Sequence, residues 1–394
     1  MASTGSTLSR RRGAPAANSA AGPASSLPVQ SLQASSNGQP ASRSTTPLAA
    51  GGGGAGHKIA YDERDLGDEH EDRINPRLTL MEEVLLLGLK DKQGYLSFWN
   101  DNISYTLRGC IVLELALRHR IAMVRDPNRR RFPLADRYIE VIDDRLTGEV
   151  LLDEALKMMK VSERMSVGTW IDLMSGETWN VMKIGYQLKQ VRERLAKGLV
   201  DKGVLRTEKR NFLLFDMATH PVSDPTFKDD VLRRTLSLLT SRTAAVPTSN
   251  LYADTVRYRT IRAVSMVCAA FAANVLENAL VHLGYDAREA AFAKCDELLA
   301  EFSQWPFGQP GMGGSGGAGG SGGGAGSRGI GAGGSAGGVE SANLAEINRM
   351  ARSEMSGLGA GDQQGDAERQ TQRELCLEVV AGVIEVYRRM DSLL

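Results

Sequence analysis

Apolar positions through the middle of the chain recur with helical spacing. The run Thr79-Leu80-Met81-Glu82 places a capping hydroxyl three residues before a Glu, the signature of a helix start, and it precedes an apolar segment at residues 80–89. A period near 3.6 residues predicts further helices in the rest of the chain. They are placed at residues 103–120, 149–160, 167–175, 182–202, 225–241, 254–282, 286–304 and 369–391. The pattern therefore predicts a mainly α-helical fold.

Shorter apolar runs between these segments predict strands. Small strands are expected at residues 121–124, 132–134 and 138–142. The clearest hairpin signal follows Gly203, with Val204-Leu205-Arg206, a polar turn at 207–211, and Phe212-Leu213-Leu214-Phe215. Consecutive apolar residues in the second strand indicate burial on both faces, against the body of the protein or against a second subunit.

Composition divides the chain into parts that can and cannot form a core. Residues 1–56 are rich in Ala, Ser, Gly and Pro and contain no Asp or Glu, and residues 57–76 carry seven acidic against three basic residues. Residues 308–338 hold Gly at 18 of 31 positions. Such segments bury too little apolar surface to offset the entropy of ordering. We expect a disordered tail at 1–75 and one helical domain at 76–394, interrupted by a Gly-rich disordered insertion at about 308–345. Residues 339–368 are weakly helical at best.

Charge and motif content narrow the classes of function. The formal net charge is zero, which disfavours a globally basic nucleic-acid binder. The sequence has no GxxxxGK[ST], GxSxG or HExxH motif, and its five His have no ligand-like spacing, so we expect no enzyme, no metal and no cofactor. The four Cys are widely separated in apolar contexts and are expected to be buried free thiols. No signal peptide is expected, and the apolar run at 263–280 is too interrupted to span a bilayer.

A basic pair is the first candidate site. Lys189 and Arg192 are three residues apart in the helix predicted at 182–202, so they would share one helix face. Such a pair can grip a phosphate group, Arg through its planar fork and Lys as a point charge. The alternative is a solvated helix face, with Glu193 interleaved.

An aromatic pair, Phe98-Trp99, precedes the polar Asn100-Asp101 turn. Two adjacent aromatic residues in a loop do not easily both point inward, and a Trp is favoured at a membrane interface. The alternative is that they belong to the core. Arg108 in the following helix adds a positive charge, or it braces that helix.

Two further features admit more than one interpretation. Arg10, Arg11 and Arg12 form a cluster in the tail that could attract anionic lipid or an acidic partner, or could simply solubilise the tail. A helix followed by a hairpin with a basic turn is also typical of a winged helix, so a nucleic-acid-binding protein is the alternative from pattern alone. The zero net charge argues against it, because duplex binding depends on neutralising phosphates.

Long runs of the chain match one family almost verbatim. They are Leu78-Thr79-Leu80-Met81-Glu82-Glu83-Val84-Leu85-Leu86-Leu87-Gly88-Leu89-Lys90-Asp91, Gly94-Tyr95, Ser97-Phe98-Trp99-Asn100-Asp101, Leu107-Arg108-Gly109-Cys110, 148–157, 173–180, Tyr186-Gln187-Leu188, 192–197, Gly203-Val204-Leu205, 211–217 and Thr219-His220-Pro221. On these runs the chain resembles the Golgi phosphoprotein 3 family, which includes a fungal vacuolar-sorting homologue. The match covers most of 76–242, continues more faintly through 250–305, and resumes in the last helix.

The resemblance implies a fold and a lipid site. The fold would be a central bundle of apolar helices surrounded by amphipathic helices, with a protruding β-hairpin. The protein would be a peripheral Golgi protein whose pocket binds phosphatidylinositol 4-phosphate. Carried over motif by motif, the headgroup-binding residues would be Trp99, Arg108, Lys189 and Arg192.

The resemblance also implies an adaptor rather than an enzyme. It would link the cytosolic tails of Golgi glycosyltransferases to coatomer, on the cytosolic face of trans and medial Golgi membranes and with a cytosolic pool. Arg10, Arg11 and Arg12 resemble the coatomer-binding cluster of the fungal branch. The hairpin, with Val204, Leu205, Phe212, Leu213, Leu214 and Phe215, would mediate self-association into a homo-oligomer. No nucleic-acid partner is implied.

Overall fold

The computed structural model describes residues 74–96, 102–212, 215–241, 243, 245–308, 336–356 and 363–391. All of these belong to one compact unit, Tyr61–Leu394. Within them the chain forms eleven α-helices: α1 Leu80–Gly88, α2 Asn102–Leu117, α3 Val150–Val161, α4 Val167–Ser175, α5 Val191–Asp201, α6 Pro225–Thr240, α7 Arg259–Ala272, α8 Leu276–Leu280, α9 Tyr285–Phe302, α10 Ala336–Ser356 and α11 Gln363–Asp391. The prediction of a mainly helical fold is confirmed.

The first helix begins where its sequence indicated. The amide of Glu82 donates to the Thr79 hydroxyl at 3.4 Å, and the Thr79 amide donates to the Glu82 carboxylate at 2.9 Å, so the capping box is complete. Every residue of α1 is buried. α1 packs against α2, α5, α6 and α7, and α2 packs in turn against α4, α7 and α11. The core therefore lies around α1 and α2.

Buried ion pairs join the helices of this core. Arg262 in α7 donates to Glu114 in α2 at 2.9 Å, and Arg234 in α6 donates to Glu83 in α1 at 2.7 Å. Burial would raise the pKa of Glu114, but Arg262 and Arg118 outweigh it and lower this pKa to about 2. Glu114 is thus ionised at neutral pH, and its charge is paired as a buried charge must be.

Two small sheets complete the fold within the described residues. β1 Ile121–Met123, β2 Tyr138–Val141 and β3 Met165–Ser166 form an antiparallel sheet in the order β1-β2-β3. The prediction of a strand at 132–134 is wrong. This stretch follows one 3₁₀ turn, Pro127–Arg131, and leads into another, Leu134–Asp136. Pro at 127 and 133 explains the difference, because Pro cannot donate to a sheet ladder.

The hairpin is present, but its turn lies further along the chain than predicted. β4 Glu208–Phe212 pairs with β5 Phe215–Thr219, with Phe212 opposite Phe215. The polar stretch 207–211, predicted as the turn, lies mostly in β4. Polar composition was misleading here because alternate residues of β4, such as Lys209 and Asn211, are exposed.

Val204 and Leu205 precede the hairpin rather than forming its first strand. Both are almost fully buried, with 0% and 2% of their surface exposed, and Leu205 bridges to Val222. They therefore contribute to the core of this unit and present no surface to a second copy.

Three helix predictions need correction. The helix predicted at 182–202 is a 3₁₀ segment, Val181–Tyr186, followed by α5, and the one predicted at 254–282 ends at Ala272 before a short α8. Asn274 interrupts the latter at a positive φ of 53°. Conversely, residues 339–356 lie in a full helix, α10. Its Ile347 and Ala351 are completely buried, so tertiary packing stabilises a segment of weak intrinsic propensity.

All four cysteines are free and buried, as predicted. Burial raises the pKa of the Cys110 thiol and of the Cys376 thiol to about 12, so both thiols are protonated at neutral pH. The described part of the chain contains no helix that is both long and apolar enough to cross a bilayer.

Candidate functional site

The candidate site lies where the long helix predicted at 182–202 is broken. The 3₁₀ segment ends at Tyr186, and Gln190 adopts a left-handed conformation, φ 53°, immediately before α5. Lys189 therefore precedes the helix, and the prediction that Lys189 and Arg192 share one helix face is wrong. Both residues nevertheless lie at the N-terminal end of α5, where unpaired backbone N–H groups and the helix dipole favour an anion.

Arg108 lies beneath this end of α5. It is on α2 and only 7% exposed. Its Nη2 donates to the Leu188 carbonyl at 2.6 Å, its Nε to the Met174 carbonyl at 3.3 Å, and its Nη1 to the Ser104 carbonyl at 2.7 Å. The guanidinium thus joins the C-terminal end of α4 to the segment that leads into α5.

The charges of the site are close enough to influence one another. Burial, and after it the neighbouring Arg192, lower the pKa of Arg108 to about 10, and Glu193 opposes this shift. A pKa of about 10 keeps Arg108 protonated at neutral pH. Arg192 is half-buried and Lys189 is exposed. A buried positive charge therefore underlies two that solvent can reach.

The segment that leads to Trp99 contacts His220, whose pKa responds to Glu193 in the first turn of α5. Gly94 has a φ of 70° and lies directly against the backbone of His220, whose amide donates to the Gly94 carbonyl at 2.8 Å. Burial lowers the pKa of His220, and Glu193 partly offsets that effect. Gly94 is thus linked through His220 to the charges at the start of α5, while Trp99 itself lies outside the described residues.

The hairpin adjoins this segment too. Arg210 in β4 donates to the Lys92 carbonyl, and the Val222 amide donates to the Asp91 carbonyl at 2.9 Å. Leu213 and Leu214 lie outside the described residues, as do Arg10, Arg11 and Arg12. The predicted roles of these residues, and of Phe212 and Phe215 in self-association, stay predictions.

The basic side chains of the candidate site are visible in the sequence, whereas the groups that hold them in place are not. The carbonyls of Met174 and Leu188 accept from Arg108, and backbone carbonyls leave no mark in a sequence. The left-handed Gln190 was missed for a similar reason, because Gln gives no signal for a positive φ. Only the resemblance placed Arg108 at the site with Lys189 and Arg192.

These observations define a class: a mainly helical protein with basic residues gathered at the N-terminal end of a surface helix. The family model of Golgi phosphoprotein 3 (GPP34) matches residues 80–318. The chain is 53% identical over 338 residues to vacuolar protein sorting-associated protein 74 of Schizosaccharomyces pombe, covering 86% of this chain and 89% of that protein. It is 49% identical over 341 residues to the protein of the same name from Eremothecium gossypii, covering 86% and 91%.

The chain belongs to the Golgi phosphoprotein 3 family, which confirms the resemblance seen in its motifs. Membership supports a Golgi-associated adaptor role in vesicle transport, in a family of non-enzymatic adaptors. It favours this class of function over the winged-helix nucleic-acid binder that the hairpin pattern also allowed.

Proposed function

We propose that this protein is a peripheral adaptor of the cytosolic face of Golgi membranes that binds phosphatidylinositol 4-phosphate. The adaptor would link the cytosolic tails of Golgi glycosyltransferases to coatomer, for retention and retrograde recycling. The observation that supports the lipid site is the grouping of three positive charges at the start of α5. Lys189 and Arg192 reach solvent there, and Arg108 is buried beneath them.

The three basic residues would divide the work according to their burial. Lys189 and Arg192 reach solvent and would contact the phosphomonoester directly. Arg108 is committed to backbone carbonyls through all three of its nitrogens, so it would position the site and add long-range attraction. Trp99 would lie in the membrane interface, where its ring is apolar and its N–H hydrated.

Selectivity would come from combining weak contacts. A single lipid headgroup binds reversibly, and linked weak sites give an avidity greater than any of them alone. The coatomer contact would use Arg10, Arg11 and Arg12, and the hairpin would add a second protomer through residues 212–215. A cytosolic pool then follows, because a protein held by several weak contacts dissociates when one is lost.

Vesicle co-flotation of the full chain tests the lipid site. One set of vesicles contains phosphatidylinositol 4-phosphate and the other contains phosphatidylserine at matched total charge. The variant Lys189→Ala/Arg192→Ala is compared with wild type and with Arg130→Ala/Arg131→Ala, which removes the same charge from two exposed residues of another 3₁₀ turn, Pro127–Arg131.

We expect wild type and the Arg130/Arg131 variant to float with the phosphoinositide vesicles. The Lys189/Arg192 variant should lose roughly tenfold or more in affinity, because each charge-assisted phosphate contact is among the stronger hydrogen bonds in proteins. Equal flotation of wild type with both vesicle types would reduce the site to a generic basic surface.

A further inference from the structure

An apolar segment beside the candidate site is almost completely exposed. Trp179 is 104% exposed, Met182 87% and Val181 76%, and Ile184 is half exposed. Single exposed apolar residues are common on proteins, whereas four within six positions form a patch of the kind that marks an interaction surface. We name this segment, residues 179–184, the apolar loop.

The shape of the apolar loop is determined by its base and not by its apolar side chains. Gly176 ends α4 in a left-handed conformation, φ 86°, and packs against the Gln187 side chain. Tyr186 packs edge-on against the buried Trp170, with ring centroids 5.9 Å apart. Asn180 caps the 3₁₀ turn by accepting from the Met182 amide at 3.0 Å. The fold therefore holds the loop in place without burying its tip.

The base of the apolar loop is also the base of the candidate lipid site. Arg108 donates to the Met174 carbonyl before the loop and to the Leu188 carbonyl after it. Lys189 follows Leu188 directly, and Arg192 lies in the first turn of α5. The exposed apolar side chains and the solvent-facing positive charges thus emerge from one base, which Arg108 joins by hydrogen bonds.

We propose that the apolar loop is a membrane-insertion element, with Trp179, Val181 and Met182 entering the interfacial region of the bilayer. The inference rests on the proposed lipid-binding function and names a second contact for it. The occupant is an anionic lipid surface, because apolar residues beside cationic ones match acyl chains beneath anionic headgroups. A Trp at the boundary suits that depth.

A fluorescence experiment on the full chain tests insertion directly. Met182→Cys can be labelled selectively with an environment-sensitive dye, since all four native cysteines are buried. The control label is at Tyr285→Cys, another exposed position, at 76% against 87% for Met182. Tyr285 lies on α9, a helix that packs on α6, α7, α10 and α11. Each labelled protein is mixed with vesicles that contain or lack phosphatidylinositol 4-phosphate, and with vesicles that carry a nitroxide lipid.

Insertion predicts a blue shift and nitroxide quenching at position 182, only with the phosphoinositide vesicles, and neither change at position 285. If the protein floats with these vesicles while the dye at 182 stays in water, insertion is refuted and lipid binding stands. Failure to float at all would overturn both the proposed function and this inference. If the dye at 182 becomes buried without vesicles, when the protein concentration is raised, a second copy is the occupant and insertion is overturned.

Substitution supplies an independent readout. Trp179→Ser/Met182→Ser should lower the vesicle partition coefficient by about tenfold or more, because two large apolar side chains no longer leave water. Its melting temperature should match that of wild type, since neither side chain packs in the core. Unchanged partitioning of this variant, measured beside a Tyr285→Ser control, would contradict the proposal.

Discussion

Among the basic residues of the candidate site, burial decides what each side chain does. Arg108 and Arg192 are both Arg, yet Arg108 is held by three backbone carbonyls while Arg192 reaches solvent. Lys cannot reproduce the planar fork of Arg at such a position. A change that preserves charge should therefore have different consequences at the two residues.

Arg108→Lys should reduce the free energy of unfolding by about 2–3 kcal/mol, because it leaves buried carbonyls without their donors. Arg192→Lys should change it by less than about 0.5 kcal/mol, as for most surface substitutions. Urea denaturation measures both values. Equal effects at the two positions would contradict the bracing function assigned to Arg108.

His119 gives the unit a dependence on pH. It is mostly buried at a positive φ of 56°, and its Nε2 lies 2.8 Å from the Tyr258 hydroxyl. Burial, and then Arg257, Arg373, Arg120 and Arg262, lower the pKa of His119 to about 3. The folded state therefore resists protonation, whereas the unfolded chain binds a proton near pH 6.5.

Stability should fall as pH drops below 6.5, because only the unfolded state takes up the proton of His119. Between pH 7 and pH 5 the loss from this residue is about 2 kcal/mol. His119→Asn tolerates the left-handed backbone and removes the titration. Between pH 7 and pH 5 this variant should lose about 2 kcal/mol less stability than wild type. His220 is present in both proteins, so its contribution cancels in the comparison. Parallel pH profiles of stability for the two proteins would argue against assigning the effect to His119.

At the scale of elements, the break before α5 is the feature that creates the site. A left-handed residue at Gln190 separates the 3₁₀ segment from α5 and exposes the helix N-terminus beside Lys189. In an uninterrupted helix over 182–202, these N–H groups would be paired within the helix and would offer nothing to an anion.

Replacing Gln190 by Gly distinguishes the two arrangements. Gly in a helix interior costs about 1 kcal/mol. At a left-handed position it removes strain that exceeds its entropic cost, for a net gain of about 0.5 kcal/mol. Lys197→Gly, at an exposed position inside α5, is the control and should be destabilising by about 1 kcal/mol. Equal losses of stability for the two variants in urea denaturation would indicate instead that residues 182–202 form one continuous helix.

At the scale of the whole molecule, the last helix, α11, packs into the same core as α1 and α2. α11 packs on α2, α7, α9 and β1. Tyr387 in α11 is fully buried, donates to the Thr106 carbonyl at 2.9 Å, and lies over Gly109. A Cβ on Gly109 would come within 2.6 Å of the Tyr387 ring carbon Cε1, so the close crossing of the two helices requires glycine.

Gly109→Ala should therefore reduce the free energy of unfolding by about 1–3 kcal/mol, the usual cost of overpacking a core. In a Tyr387→Leu background the same change should cost less, because the shorter side chain leaves room for a methyl group. A double-mutant cycle by urea denaturation measures this coupling. Additive effects would mean that the two residues do not share the contact.

Elements that depend on local chemistry could be predicted from the sequence. The Thr79–Glu82 capping box, the helix at 167–175 and the apolar periodicity of α1 and α2 all follow from interactions between near neighbours, which spacing reveals. The charges of Lys189 and Arg192 indicated a site that could bind a phosphate group. Motifs such as Leu107-Arg108-Gly109-Cys110 indicated the family.

How these parts act together depends on packing between segments that are far apart in the chain. The burial of Val204 and Leu205, the helical order of α10, and the hydrogen bonds from Arg108 to the Met174 and Leu188 carbonyls each depend on residues distant in sequence. So does the exposure of Trp179 and Met182, since an apolar residue is exposed or buried according to what packs over it. Local pattern records what a residue prefers, whereas long-range packing decides which preference is met.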